Sequence, residues 1–506
     1  MADRPNILLI STDHWPAALL GATGHPKIQT PTLDTLARSG VRFTNAYAEC
    51  PICIPARRTL MTGTTPRTHG ARVFKEKLPM PELPTLAQTF REAGYQTYAV
   101  GELHVYPQRD RIGFNDVILD EAGRTQYGVV DDYEAFLADQ GYPGQQFLHG
   151  MSNSEYGWRP WHLPEQTHPT NWATRQLART IKRRDPTRPA LWFLSYRPPH
   201  PPLVPLQIYL DLYRQLDLHQ QPASDKPYMG DWIDGGTFAI RRRQARHEGM
   251  SDVQVRLART AFYALCTQID HQLRVLIGTL REEGLLDETI LLFTSDHGDM
   301  LGNHGIWAKR LFYESAANIP MILVGVDGDE RVGANRTDDR LVGWQDVMPT
   351  LLELAGIEIP ETVEGISMVG EERREWLYGE VGEGGSATRM IHDGRHKLIY
   401  YPVGNRRQLF DLEDDPNELR DLSGSPAYQQ VLIRLTELLI GQLYGGDEAW
   451  AEGGQLIGLP DRAFVPGPNK WLSGQRGDHF PPPPRAAMQQ LQWLTERGTG
   501  DEEERG

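Results

Sequence analysis

Short apolar runs recur along the chain and alternate with stretches of helical period. Asn6–Ile10 (NILLI), Thr97–Val100, Ala190–Ser195 (ALWFLS), Thr289–Thr294 (TILLFT) and Met321–Val326 (MILVGV) read as strands. They are apolar throughout rather than alternating, which predicts burial on both faces of a mostly parallel sheet. Thr32–Arg38, Leu83–Ala93 and Val253–Arg281 carry apolar residues at helical spacing, the last as one long helix or a pair. Gly40 and Gly94 follow the first two as stops. Strands alternating with helices predict an α/β fold. After about Gly370 the pattern changes. His396–Tyr401 alternates like an antiparallel strand, Leu409–Leu412 follows, Asp414–Asn417 reads as a turn and Ala427–Leu443 as a helix. The expectation is a large domain over residues 1–370 and a smaller α+β domain with an antiparallel sheet over 371–506. From about Gly445 the chain is rich in Gly, Pro and charge, with Pro481–Pro484 in a row. That composition predicts an irregular arm, of the kind that makes contacts in a homo-oligomer.

With 506 residues the chain can bury one large core and a smaller second one. Hydrophobic residues at 39% and charged residues at 24% exclude a disordered chain. A formal net charge of −15 argues against nucleic acid as a partner, yet leaves room for a local cationic pocket that holds a small anion. No apolar run is long enough to span a bilayer, and Met1–Asn6 leads into a strand without a signal-like apolar core. Three cysteines, Cys50, Cys53 and Cys266, do not make a disulfide framework. The expectation is a soluble cytoplasmic protein with no membrane partner.

The residues just beyond each strand are more informative. NILLI leads into Ser11-Thr12-Asp13-His14, and the strand near Val100 into Gly101-Glu102-Leu103-His104. ALWFLS leads into Tyr196-Arg197-Pro198-Pro199-His200, and TILLF into Ser295-Asp296-His297-Gly298-Asp299. Open α/β sheets bind ligands beyond the carboxyl ends of their strands, so these termini can converge on one site. Taken singly, an Asp after a strand is usually a turn or cap residue, and a lone His a hydrogen-bonded structural one. Two Asp-His pairs at strand ends together point to a metal, and a donor set rich in carboxylate suits calcium, magnesium or manganese.

The sharpest segment is Cys53-Ile54-Pro55-Ala56-Arg57-Arg58-Thr59-Leu60-Met61-Thr62-Gly63. Pro near a helix start and Gly at its end predict a short helix with Cys53 at its N-terminus, where the dipole favours an anion. Arg57 lies one turn along and reaches back to the same place. Such surroundings are expected to lower a thiol pKa. The alternatives are a buried structural cysteine or a Cys50-x-x-Cys53 redox or zinc pair; for the latter no second CxxC is present.

At this point the sequence resembles the sulfatase family of the alkaline-phosphatase-like superfamily, which also includes phosphonate monoester hydrolases. The resemblance is carried by Cys53-x-Pro55-x-Arg57 with Leu60, Thr62 and Gly63, by Thr30–Ala37 with Gly40–Tyr47, and by Ser295–Asp299. Asn318–Pro320, Asp346–Thr350 with Ala355-Gly356, Leu409–Leu412 and Asp415–Glu418 extend it. It covers roughly residues 5 to 425 in order. It implies an alkaline-phosphatase-like large domain and hydrolysis of sulfate esters by a formylglycine made from Cys53, with a formylglycine-generating enzyme as partner during maturation. It further implies one divalent metal, calcium first and manganese or magnesium as alternatives, held by Asp13, His14, Asp296, His297 and the modified Cys53. Arg57 would steady the formylglycine and His104 would take a proton from its hydrate. His200 and Lys309 would bind the ester and assist the leaving group. In that chemistry one geminal hydroxyl attacks sulfur, and loss of a proton from the other re-forms the aldehyde and expels sulfate.

Two positions depart from the pattern. His14 stands where the family commonly has Asp or Gln, and Glu102 where many sulfatases carry a lysine close to the sulfate. Unit charges about 4 Å apart interact by about 4 kcal/mol at an effective dielectric of about 20, so exchanging lysine for glutamate matters. Glu102 must turn toward a cation such as Arg57 or Arg58, be protonated, or bind a cationic or hydroxyl-rich part of the substrate. This departure sustains a second reading, hydrolysis of phosphonate monoesters or phosphodiesters by the same nucleophile. A third is a silent binding protein that keeps the fold. Substrate recognition is expected from Glu121–Asp185 and Tyr209–Met250, which contain Trp158, Trp161, Trp172 and Trp232.

Overall fold

The computed structural model describes residues 4–122, 130–151, 155–219, 226–233, 236–247 and 249–465. Its centre is an eight-stranded sheet ordered β4-β3-β5-β1-β6-β7-β2-β8. The strands are β1 (Asn6–Thr12), β2 (Val41–Tyr47), β3 (Gln96–Gly101), β4 (Asp116–Leu119), β5 (Ala190–Tyr196), β6 (Thr289–Ser295), β7 (Met321–Val324) and β8 (Arg336–Gly343). All neighbours pair parallel except β7, which is antiparallel to both β6 and β2. The mostly parallel sheet is as the continuous apolar runs predict. The strand expected over Met321–Val326 is shorter and reversed.

Both faces of the sheet are covered, which is why the central strands read as unbroken apolar runs. Leu8 and Ile10 of β1 pack into one core with the long Asp252–Glu282 helix and the Pro169–Lys182 helix. Ile7 and Leu9 pack into the opposite core with helix α2 (Cys53–Thr62) and the Val347–Leu354 helix. The segment Val253–Arg281 thus lies in one helix, Asp252–Glu282, of 31 residues, started by a capping box between Ser251 and Gln254. Asp270 of that helix accepts from the backbone N–H groups of Thr32 and Leu33, pinning the start of α1 (Pro31–Ser39). Gly40 ends α1 for a reason other than a left-handed cap. Its φ is −148°, and an added Cβ would lie 2.0 Å from the Leu323 carbonyl oxygen of β7.

The C-terminal part forms an antiparallel sheet ordered β12-β11-β10-β9, with β9 (Leu377–Val381), β10 (Thr388–His392), β11 (His396–Tyr401) and β12 (Arg406–Asp411). One face packs on the Gln429–Gln442 helix and the other against Phe312, Tyr313 and Ala316 of the large domain. Lys397 of β11 is fully buried between Glu314 and Glu418 (2.6 and 2.7 Å). The expected irregular arm needs correcting at its start. Gly445–Trp450 is a 3₁₀ turn, Ala451–Glu452 pairs with Gln455–Leu456, and buried Trp450 anchors both. A large aromatic side chain outweighs the Gly-rich composition there. Pro481–Pro484 lies outside the described residues. Among the described residues no helix is long and apolar enough to cross a membrane.

Candidate active site

The polar sequences after β3, β5, β1 and β6 belong to four consecutive strands of the sheet. Their carboxyl ends align within a residue, since Gly101 pairs with Ser195 while Thr12 pairs with both Tyr196 and Ser295. β2 runs the same way across reversed β7, so its end at Tyr47 leads to the same edge and into α2. The chain at Gly101 needs glycine. Its φ is +106°, and a Cβ would lie 1.9 Å from the Ser195 carbonyl oxygen.

Cys53 opens α2, and Gly63 closes it in a left-handed C-cap whose N–H donates to Thr59 O. Potential donor atoms of Asp13, Cys53, Asp296 and His297 lie within 4.8 Å of one another, and all four residues are buried. His297 Nδ1 donates to Gly298 O (2.9 Å), which leaves Nε2 as the bare nitrogen. That nitrogen faces Asp13 Oδ1 (3.4 Å), Asp296 Oδ1 (3.5 Å) and Cys53 Sγ (3.4 Å). Asp13 Oδ2 and Asp296 Oδ2 are buried without a hydrogen-bond partner. A bare imidazole nitrogen and two carboxylates turned on one another repel unless a cation lies between them, so these residues fit a divalent metal. Burial and then the neighbouring Asp13 charge push Asp296 well above the usual carboxylate range. Burial would raise Asp13 as well, but Lys309 and nearby histidines outweigh it and hold Asp13 well below.

The surroundings of Cys53 correct the expectation of an acidic thiol. Burial, and next the Asp13 carboxylate, raise its pKa although Lys309 acts the other way. The helix N-terminus is outweighed, and the unmodified thiol is a poor nucleophile at neutral pH.

Arg57, 3% exposed, donates through Nη1 to Glu102 O and Ser195 Oγ (2.6 Å each) and through Nη2 to Glu102 Oε2 (3.0 Å). It also lies 3.6 Å from Asp296 and 3.9 Å from Asp13. Glu102 therefore turns to Arg57, the first of the three arrangements expected of it. Its other oxygen is 3.3 Å from His104 Nε2. His104 has a φ of 57°, and Glu121 Oε1 holds that turn by accepting from the N–H groups of Leu103 and His104. Glu102, His104 and Glu121 form a second buried set of potential donors within 4.8 Å.

His14 lies at the site but outside the four-donor set. Its Nδ1 donates to Asp299 Oδ2 (2.6 Å), which also accepts from Tyr156, and its Nε2 accepts from Lys309 Nζ (2.5 Å). Burial and then Lys309 keep the His14 ring neutral. Lys309 Nζ lies 2.8 Å from Cys53 Sγ. Burial opposes its charge, but Cys53, Asp13 and Asp296 outweigh burial and raise its pKa, so it is an ammonium. His200 stacks edge-on against His14 (4.4 Å), and its Nδ1 donates to Pro201 O (2.5 Å). Burial lowers its pKa to about 3.

The sequence residues thus converge, and several partners went unread. Ser195, Asp299, Glu121 and Tyr156 orient the others, and although each lies in a segment already singled out, none was named for that role. The four tryptophans are accounted for by packing. Trp172 is in the core, Trp161 donates to Thr167, Trp158 lies under Arg214, and Trp232 stacks on Tyr313.

Comparison with known proteins bears on this arrangement. Residues 5–357 match the family model Sulfatase, and residues 302–443 match N-sulphoglucosamine sulphohydrolase, C-terminal. An arylsulfatase of Clostridium perfringens is 33% identical over 474 residues, covering 90% of this chain and 97% of the relative. A choline-sulfatase of Rhizobium meliloti is 29% identical over 435 residues, covering 84% and 83%. Among solved structures, the phosphonate monoester hydrolase of Agrobacterium radiobacter superposes with a TM-score of 0.75 at 22% identity, covering 89% of this chain and 98% of the other.

Proposed function

The chain belongs to the sulfatase family of the alkaline-phosphatase-like superfamily, and from that premise we propose how its site works as a sulfuric ester hydrolase. The observation that carries the reading is the four-donor set of Asp13, Cys53, Asp296 and His297 with Lys309 Nζ 2.8 Å from Sγ. Asp13, Asp296 and His297 would hold a divalent metal, with calcium favoured because carboxylate oxygens dominate the donors. Sγ of Cys53 stands in for an oxygen of formylglycine made from this residue by a formylglycine-generating enzyme. When present, the metal and the formylglycine supply charge neutralisation and a hydrated-aldehyde nucleophile.

The chain's own residues do the rest. Arg57 fixes the end of α2 against the ends of β3 and β5 through Glu102 and Ser195. Lys309 keeps its ammonium beside the reacting position, where it balances charge on the ester oxygens and holds a proton for the departing alcohol. Asp299 orients His14, and His14 in turn fixes where the ammonium points. His200 lies edge-on to His14, and its Nε2 is the bare nitrogen, because Pro201 O holds the other nitrogen's proton. His104, braced by Glu102 and by the Glu121-held turn, is placed to take the proton whose loss releases sulfate. We place the protein in the cytoplasm, which its sparse cysteines favour.

One feature favours a second reading. By the resemblance read from the sequence, Glu102 stands where many sulfatases carry a lysine close to the sulfate, and its buried carboxylate sustains hydrolysis of phosphonate monoesters or phosphodiesters as the alternative. The test is hydrolysis of aryl esters that differ only in sulfate, phosphonate or phosphodiester, using protein co-expressed with the formylglycine-generating enzyme. Preference for sulfate, lost in Cys53→Ala, is expected. Preference for phosphonate or diester would transfer the assignment to the second reading. Inactivity on every ester, with Cys53 converted and metal bound, would defeat both.

A further inference from the structure

We infer that Glu102 selects esters by charge, favouring tetrahedral groups with one negative charge over those with two, so that phosphate monoesters are the disfavoured class. The inference rests on the hydrolase reading above and deepens it.

Glu102 is the first residue beyond β3 and is 1% exposed. Its N–H donates to Ser195 O (3.0 Å), Arg57 holds one carboxylate oxygen, and His104 faces the other. The charge is therefore fixed in place at the edge where the four strands end. Arg57 does not cancel it, because Arg57 is shared with Asp296 and Asp13 as well. The charge sits close to the nucleophile, since the Arg57 Nη2 that holds Glu102 Oε2 at 3.0 Å also lies 3.9 Å from Asp13, a member of the four-donor set with Cys53. The nearby Arg197 is paired with Asp120 (3.5 Å), and Glu121 is turned on backbone amides. Among the described residues, Lys309 is then the cation that faces Sγ, at 2.8 Å.

A fixed anion meets a singly charged ester once and a doubly charged one twice. The ratio of rates for the two classes therefore carries the interaction of one unit charge with Glu102. Effects common to both classes, such as a loosened Arg57 or a less well-held His104, cancel in that ratio.

The experiment measures kcat/KM for para-nitrophenyl sulfate, methyl para-nitrophenyl phosphate and para-nitrophenyl phosphate. It is run at about pH 8, where the phosphate monoester is doubly charged. Wild type, Glu102→Gln, Glu102→Asp and Glu102→Lys are compared, each with Cys53 conversion and metal content determined. Glu102→Gln is expected to raise the monoester-to-diester ratio by about tenfold or more, a value set by one charge at several ångströms. Glu102→Lys is expected to raise it further and serves alone should the Gln variant not fold. Glu102→Asp keeps the charge and is expected to keep the wild-type ratio. A ratio unmoved in Gln or Lys, with all three rates falling together, would overturn the inference and leave Glu102 a purely structural residue. So would a second metal ion per chain that is lost with Glu102, because a cation on Glu102, His104 and Glu121 would neutralise the charge. Wild type inactive on all three esters would sink the hydrolase reading first and this inference with it.

Discussion

The buried contact between Arg57 and Glu102 gives a prediction whose size follows from the structure. The pair lies at 3.0 Å with both side chains at 3% exposure or less. At an effective dielectric of about 20 this distance corresponds to about 5 kcal/mol of attraction, an upper bound before desolvation is subtracted. Arg57→Ala would leave Glu102, Asp296 and Asp13 without their shared guanidinium and would take one donor each from Glu102 O and Ser195 Oγ. Breaking a buried pair in this way costs about 3–5 kcal/mol. Glu102→Gln is milder, about 1–2 kcal/mol, because Arg57 keeps its other partners and glutamine keeps an acceptor. In the double variant Arg57 is absent but one buried carboxylate has also gone. It should therefore cost about 2–3 kcal/mol less than the sum of the singles. The assay is thermal unfolding at fixed, saturating metal, since metal binding is linked to stability. At about 2 °C per kcal/mol, Arg57→Ala should melt about 6–10 °C lower. Additivity of the two single changes within about 0.5 kcal/mol would refute the reasoning. Glu102 would then be held by something other than Arg57.

Three further outcomes are expected. Glu49 is buried beside Asp346, and burial followed by that charge raises its pKa to about 7. Its folded pKa exceeds its unfolded value of about 4.5, so its contribution is intact below about pH 4.5 and lost as pH rises through about 7. Glu49→Gln should be near neutral at about pH 5 but stabilising by up to about 3 kcal/mol at about pH 8; a flat difference across pH would contradict this. Lys397→Met leaves Glu314 and buried Glu418 facing each other and should destabilise by about 3–5 kcal/mol, read as early proteolysis of the C-terminal sheet. Lys309→Ala removes the ammonium beside Cys53 and should lower kcat by about a hundredfold or more, with KM changing less. A change confined to KM would instead make Lys309 a binding group only.

The fold was legible where burial was two-sided. β1, β5 and β6 are buried at every position, because helices cover both faces, and the apolar stretch of each was visible as a run. β2 and β8 were not, since β2 alternates between buried and half-buried positions and edge strand β8 carries Arg336, Asp338, Asp339 and Arg340. Reversal of β7 left no trace in its composition, because MILV packs equally well in either direction. At the site, strand ends placed Asp13, Glu102, His200, Asp296 and His297 at one edge, since a parallel sheet brings all its carboxyl ends together. The orienting groups are scattered by the topology. Ser195 and Glu121 reach Arg57 and the His104 turn only because β5 and β4 flank β3, a strand order that no local pattern encodes.

The two departures from the family pattern are each answered by a neighbour rather than by the nucleophile. His14 is neutral, and Asp299 fixes its tautomer so that its other nitrogen can only accept, which makes it a seat for Lys309. Glu102 adds a negative charge, and Arg57 turns two of its donors on that residue. The cations are thereby redistributed. Arg57 is drawn toward the β3 and β5 ends, and Lys309 is drawn toward β1 and Sγ. Positive charge at the reacting position is concentrated in the lysine, with one fewer cation than a lysine at position 102 would give. A site of this kind stabilises one developing negative charge well and a second one poorly. Such an imbalance bears on substrate choice more than on the fold, since the Arg57–Glu102 contact holds whichever ester arrives.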